Sequence, residues 1–340
     1  MNWWLPHNFE QKRFKLEQRA IVFKALRQFF DQRDFTEVQT PALQVCPVMD
    51  AHIHAFQTQC MDVGRSRGQE MYLHTSPEFD MKKLLAAGME RIYQICPVYR
   101  NAEGSALHSP EFTLLEWYRV GVDYSVLMND CESLLQEIAR SVEVDSYVYK
   151  GVSCDPFQPI ERICVVDAFK RYADLDLEAC LDDREMFARY ASEADVRVSA
   201  QDRWDDIFHA VMAAHIEPHL GRGVPCVLYD YPVSMAALSR RREDDPRFAE
   251  RFELYVCGIE LANAFSELTD ANEQRRRYEG EMATKKALYG EIYPADEQFF
   301  EALEYMPESA GIALGVDRLV MLATGAQNID DVLWAPVQIL

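Results

Sequence analysis

The sequence predicts an α+β domain: an antiparallel sheet flanked by helices. Three observations carry this. Apolar residues recur at helical spacing near the N-terminus, and a strand-forming pair at 91–100 and 111–119 reads as a long hairpin. Strand-like runs also follow one another at 251–268 without the regular helical crossovers a parallel sheet needs.

From Leu16, the residues Ala20, Phe23, Leu26 and Phe30 step by three and four, which describes one face of a helix ending in the polar turn Asp31 to Asp34. The following FTEVQTPAL is rich in strand formers and closes on Pro41, which suits a strand end or a sheet edge. RIYQICPVYR (91–100) and EFTLLEWYR (from Glu111) read as strands joined by NAEGSALHSP. In the second of these, Phe112, Leu114, Glu116 and Tyr118 share one face, and Thr113, Leu115 and Trp117 the other. A solvent face would not set aromatic rings around a single Glu. VLMNDCESLLQEIARSV, from Val126, has helical spacing, and 145–225 mixes short elements whose order the pattern does not fix. RFELYVCGIELANAFSEL reads as two strands around Gly258, a polar helical stretch carries Arg275 to Arg277, and GIALGVDRLVMLATG reads as a strand entering a helix with Arg318 near its first turn.

The 340-residue chain carries 35 basic and 56 acidic residues, a formal charge of -21, which opposes tight binding to a long phosphate backbone. No stable tRNA complex is expected. The nine cysteines include no two-residue-spaced pair, so neither a zinc site nor a dithiol motif is visible and reduced thiols in the cytoplasm are expected. No apolar run approaches a membrane span or a signal peptide. The basic run Arg240 to Arg242 would suit an acidic partner, although a solvated charge run is the commoner meaning.

Three constellations offer chemistry. Arg100 closes one hairpin strand, with Glu103, His108, Glu111 and Phe112 beyond it. An Arg fork bridges phosphate oxygens and a Phe ring stacks on a purine, but ordinary surface ion pairs would read the same way. Glu253 and Glu260, on adjacent strands, would hold Mg²⁺ against a polyphosphate or form rim salt bridges. Arg318 follows Gly311 and Gly315, where small residues let a nucleotide approach the backbone. His108 would orient the hairpin or a phosphate, though a lone His is more often structural.

Taken in this order, the segments ending at Pro41, running from Arg100 to Phe112, and forming GIALGVDR resemble the three signatures of the class II aminoacyl-tRNA synthetases. HTSPEFDMKKLLAAG, HSPEFTLLEWY and GIELANAFSELTD resemble the lysyl branch, and more closely the truncated lysyl-type paralogues that attach (R)-β-lysine to elongation factor P. The resemblance implies the class II catalytic fold, ATP and Mg²⁺. It implies Arg100 on the α-phosphate, adenine between Phe112 and Arg318, and Glu103, His108, Leu254 and Gly315 along the nucleotide. Glu253 and Glu260 would hold the metal, and Ser76, Glu78, Glu116, Tyr118, Glu260, Asn263, Glu267 and Ala313 would surround (R)-β-lysine or lysine. Carboxylates at Glu78, Glu116 and Glu267 suit a diamino acid, whose ammonium groups need anionic partners. The implied reaction is attack of the substrate carboxylate on the α-phosphorus, then transfer of the acyl group to a lysine amine of elongation factor P.

The chain departs from the class pattern at several positions. Ala102 stands where the class has an acid, and Glu103 follows one residue late. On a strand that shift would turn the side chain to the other face, whereas a loop would absorb it. Ala106 and Leu107 replace a loop Arg before His108, Ser109 replaces Asn, and Ala313 stands where lysyl synthetases carry Gly. The added methyl at Ala313 implies a reshaped pocket and a β-amino acid preference. The first signature begins near residue 15, so a single catalytic domain over 1–340 is expected, without an anticodon-binding barrel. The segment around Pro41 resembles the class dimer interface and implies a homodimer. Two other readings are a lysyl-type enzyme that charges tRNA, and an inactive regulatory module that has kept the fold.

Overall fold

The structure is a computed structural model that describes residues 2–64 and 68–338. Helix α1 (Pro6–Asp31) opens it, beginning ten residues before the apolar repeat at Leu16. Pro6 suits a helix start, where its missing N–H costs nothing. The buried face is Leu16, Val22, Leu26, Phe29 and Phe30, whereas Ala20 is exposed and Phe23 only partly covered. Two cations rotate that face. Lys12 is buried because Nζ donates to the carbonyl oxygen of Leu333 (2.8 Å), and Arg19 because it pairs with Asp317 and donates to Oγ1 of Thr113 (3.0 Å).

The chain continues through β1 (Thr36–Glu37), β2 (Leu43–Gln44), β3 (Gln57–Cys60), β4 (Gln69–Leu73), α2 (Glu78–Ala86), β5 (Arg91–Tyr99), β6 (Glu111–Val120) and α3 (Tyr124–Ser141). Then come β7 (Tyr147–Tyr149), β8 (Val152–Cys154), β9 (Glu161–Cys164), α4 (Val165–Ala173), α5 (Arg184–Glu193), α6 (Trp204–Val211) and β10 (Cys226–Pro232). The last elements are β11 (Phe248–Val256), β12 (Ile259–Ser266), α7 (Ala271–Tyr289), α8 (Glu297–Leu303), β13 (Ser309–Gly315) and α9 (Val316–Thr324).

The main sheet runs β1-β5-β6-β13-β12-β11-β10-β9. Its six inner strands are antiparallel, as expected, and both edge strands join in parallel. The strand before Pro41 shrinks to Thr36 and Glu37 at the sheet edge. The β11–β12 turn is tight because Cys257 and Gly258 both take positive φ (54° and 75°), the conformation that matches strand twist in a short hairpin.

One sheet face packs on α1, α3 and α9 through Phe30, Leu115, Trp117, Leu134, Leu254 and Leu319, all essentially inaccessible. On the other face α2, α7 and α8 gather Phe79, Tyr118, Tyr278 and Phe299. The region the pattern left unordered forms its own apolar cluster, in which Phe169, Phe187 and Phe208 from α4, α5 and α6 pack on Leu228 of β10. Periodicity could not order these short elements, since each hides its apolar side against the others. No described helix is long and apolar enough to cross a membrane.

Candidate active site

Strand pairing places several chemically active side chains on one rung. Gln94 of β5 lies opposite Glu116 of β6, Glu116 opposite Ala313 of β13, Ala313 opposite Asn263 of β12, and Asn263 opposite Glu253 of β11. Paired residues point to the same face. The next rung sets Tyr118 opposite Gly311, and Gly311 opposite Phe265. In a regular strand Glu260 and Asn263, three apart, would face opposite ways. A register shift at Leu254/Tyr255 sets Glu260 opposite Tyr255, and so turns both to the face of Glu253.

Above this face lies a cavity of about 310 Å³, whose lining includes Ser76, Glu78, Arg100, Glu103, His108, Phe112, Glu260, Asn263, Ala313, Gly315 and Arg318. Residues as far apart in the chain as Ser76 and Arg318 thus meet. At one end the Arg100 guanidinium sits 5.2 Å from the centre of the Phe112 ring. Arg318 donates from Nη1 to the backbone oxygen of Glu260 (2.7 Å), and its Nη2 lies 2.7 Å from Nε2 of His108. An Arg can only donate, so Nε2 accepts and the proton of a neutral His108 sits on Nδ1, which faces Oγ of Ser105 at 2.7 Å. Burial, then the charge of Arg318, holds His108 below its usual pKa, which keeps the ring neutral. These contacts tie His108 to Arg318 and to the turn Ser105–His108. Ala102 takes a positive φ of 60° in the loop, and Glu103 lines the cavity.

At the other end, Ser76 Oγ donates to Oε1 of Glu116 (2.5 Å) and the Tyr118 hydroxyl donates to Oε2 (2.9 Å). Glu116, Tyr118 and Glu267 are buried behind Ser76 and Glu78 and do not line the cavity directly. Burial, then the charge of Glu78, pushes the Glu116 carboxyl up to about 8. Glu267 is likewise held above the usual carboxylate range by burial.

Two further expected residues, Glu253 and Leu254, lie outside the cavity lining. Glu253 does not line the cavity: Arg251 donates to Oε1 (2.5 Å), and the hydroxyls of Tyr231 and Tyr255 donate to Oε2 (2.6 and 2.7 Å). Burial, then the charge of Glu253, raises the Glu260 carboxyl above its usual value. Leu254 alternates to the opposite face and is wholly buried in the helix-side core, so its side chain cannot touch a ligand here. Sequence reasoning also missed Lys82. It lies one helical turn after Glu78, 2.5 Å from Oε1, and the i, i+4 spacing of the two charges was the signal available.

Residues 4–338 match the family model described as tRNA synthetases class II (D, K and N). The chain belongs to the class II tRNA synthetases. Among relatives of this synthetase, a Vibrio atlanticus protein is 40% identical over 95% of both chains. A Photorhabdus laumondii protein is 41% identical over 94% of this chain and 93% of its own. A Vibrio parahaemolyticus protein is 38% identical over 99% of both. All three are named elongation factor P--(R)-beta-lysine ligase. Within the synthetase fold, the hairpin β5–β6 and the β13–α9 junction thus supply the cationic end of the cavity, and α2 and β6 the anionic end.

Proposed function

We propose that this protein is an ATP-dependent ligase that activates (R)-β-lysine as an acyl-adenylate and transfers it to a lysine side chain of elongation factor P. The observation that carries the reading is one cavity with Arg100, Phe112 and Arg318 at one end and the carboxylates of Glu78, Glu116 and Glu267 at or behind the other. A nucleotide and a diamino acid need these opposite environments. The relatives named above give the amino acid and its acceptor.

In this reading the adenine lies between the Phe112 ring and the Arg318 guanidinium, with Glu103 near its edge and Gly315 leaving room along the strand. Arg100 meets the α-phosphate. The substrate carboxylate attacks the α-phosphorus, a P–O bond to pyrophosphate breaks, and the acyl-adenylate remains. Arg100 is already held over Phe112, so little reorganisation precedes charge stabilisation in that step. The neutral ε-amine of the acceptor then attacks the activated carbonyl and releases AMP.

Glu260, with Glu253 behind it, presents oxygen donors suited to Mg²⁺, a cation that keeps most of its ligands from phosphate and water. Because the oxygens of Glu253 are already engaged, Glu260 is the carboxylate open to the metal. Bound with ATP, Mg²⁺ would offset phosphate charge. Among the described residues no cluster of three or more His, Cys, Asp or Glu side chains forms a metal cage.

The unit acts as one catalytic domain in the cytoplasm and as a homodimer, for which the exposed Trp4, Phe14 and Ile21 of the N-terminal segment and α1 offer apolar surface. Light scattering at micromolar concentration tests the dimer. The activation step is tested by exchange of labelled pyrophosphate into ATP. Exchange should depend on (R)-β-lysine and fall in Arg100→Ala; no exchange with any diamino acid would favour the inactive module instead.

A further inference from the structure

The carboxylate end of the cavity holds a cation of its own. Lys82, on α2, is 1% exposed, and its Nζ lies 2.5 Å from Oε1 of Glu78 and 2.6 Å from Oε2 of Glu267. Glu116 and Tyr118 of β6 face the same cluster, and Glu116 is satisfied by Ser76 and Tyr118 rather than by a cation. Among the described residues no other Lys or Arg pairs with Glu78, Glu116 or Glu267. Outside the ion pair, neither oxygen of Glu267 has a hydrogen-bond partner among the described residues. Gly311 makes the arrangement possible, since a Cβ there would collide with the Tyr118 ring and with Oε1 of Glu267.

Three carboxyl groups packed together without a cation would take up protons, because buried like charges disfavour one another. One ammonium changes that balance. Burial pulls the Lys82 ammonium down, but Glu267 and Glu78 more than offset this and hold it charged. Lys82 is thus shared by Glu78 and Glu267, Glu116 is left to Ser76 and Tyr118, and of the three carboxyl groups Glu78 alone lines the cavity.

We propose that Lys82 is a built-in counter-ion of Glu78 and Glu267 that offsets part of their charge inside the protein and leaves this end of the cavity room for one ligand ammonium. Lys82 is thus a positioning and specificity residue, acting through the two carboxylates. A ligand with one ammonium at this end is matched. A neutral side chain leaves the charge uncompensated, and a second ammonium finds its place taken. The inference rests on the reading that this end receives the amine of a diamino acid.

The test is calorimetric binding of (R)-β-lysine to the full chain, comparing wild type, Lys82→Arg and Lys82→Ala. At about pH 7, Lys82→Ala should bind about tenfold more weakly, because a proton replaces the lost ammonium and the ligand meets a neutral acid. n-Butylammonium should restore affinity to within about threefold, and n-butanol should not. The deficit should narrow at about pH 8.5, and Lys82→Arg should stay near wild type. Wild-type affinity in Lys82→Ala, or a loss that n-butylammonium fails to reverse in a cooperatively melting variant, overturns the proposal. If Lys82→Ala does not melt cooperatively, Lys82→Met keeps the apolar stem and must show the same narrowing with pH. If wild type binds no diamino acid, the proposal falls together with the functional reading; if only the variants behave as wild type, it falls alone.

Discussion

Arg318 on α9 donates to the backbone oxygen of Glu260 on β12 at 2.7 Å, which ties the last helix to the strand that presents the Glu260 carboxylate. Its other terminal nitrogen lies 2.7 Å from Nε2 of His108, so one guanidinium joins three segments around the nucleotide end. Lysine has a single terminal nitrogen and no planar fork to span the two partners. Arg318→Lys and Arg318→Ala should therefore both lower pyrophosphate exchange by about 10²-fold or more. The melting temperature should move little, because Arg318 is only partly buried. Exchange near the wild-type rate in Arg318→Lys would remove the fork from the account.

Gly311 is where the sheet makes room for the substrate end. Gly311→Ala forces the Tyr118 ring and Glu267 apart, an overpacking that costs about 1–3 kcal/mol of stability. Urea unfolding measures this. The KM for the amino acid should rise while that for ATP stays, since the nucleotide end is untouched. A variant as stable as wild type would show that the rung at Gly311 has slack.

Glu116 predicts a proton signature. Its folded pKa, about 8, lies above the ordinary carboxylate value, because of burial first and the charge of Glu78 second. A nearby ligand ammonium favours the carboxylate, so binding at about pH 7 should release part of a proton. The release should fade well above the folded value. Stability follows the same sign: the contribution is fully present below the unfolded pKa and is lost as pH rises through about 8. Calorimetry in buffers of different protonation enthalpy measures the release, which should shrink in Glu116→Gln.

How far the sequence could be read depends on what fixed each feature. The hairpin, the two faces of β6 and the β13–α9 junction follow from local alternation and a glycine-bearing turn, and all were legible. The buried face of α1 was not, because Lys12 and Arg19 are buried by partners more than 90 residues away. Glu260 and Asn263 could be assigned to one pocket from resemblance, but alternation alone would have separated them; the register shift is a tertiary fact. Alternation places the Leu254 side chain, which follows Glu253 directly, on the helix side of the sheet. Glu103 lines the cavity next to Ala102, whose positive φ is a backbone state that Ala rarely adopts and that no composition signal announces.

Ala313 lies between Glu116 and Asn263 on the same rung, so its methyl projects toward the substrate end. Ala313→Gly should enlarge that end and shift the ratio of kcat/KM for α-lysine over (R)-β-lysine by about tenfold in favour of α-lysine, the scale of one carbon in a pocket. An unchanged ratio would mean that the regiochemistry is read elsewhere.

The central claim is that the activated acyl group goes to a protein amine. Purified protein with Mg²⁺-ATP and (R)-β-lysine should be given elongation factor P and tRNA in separate reactions, read by intact mass and acid-stable label. The account predicts one β-lysyl increment on elongation factor P, lost in Arg100→Ala, and no charged tRNA. Charging of tRNA with elongation factor P left unmodified would contradict it.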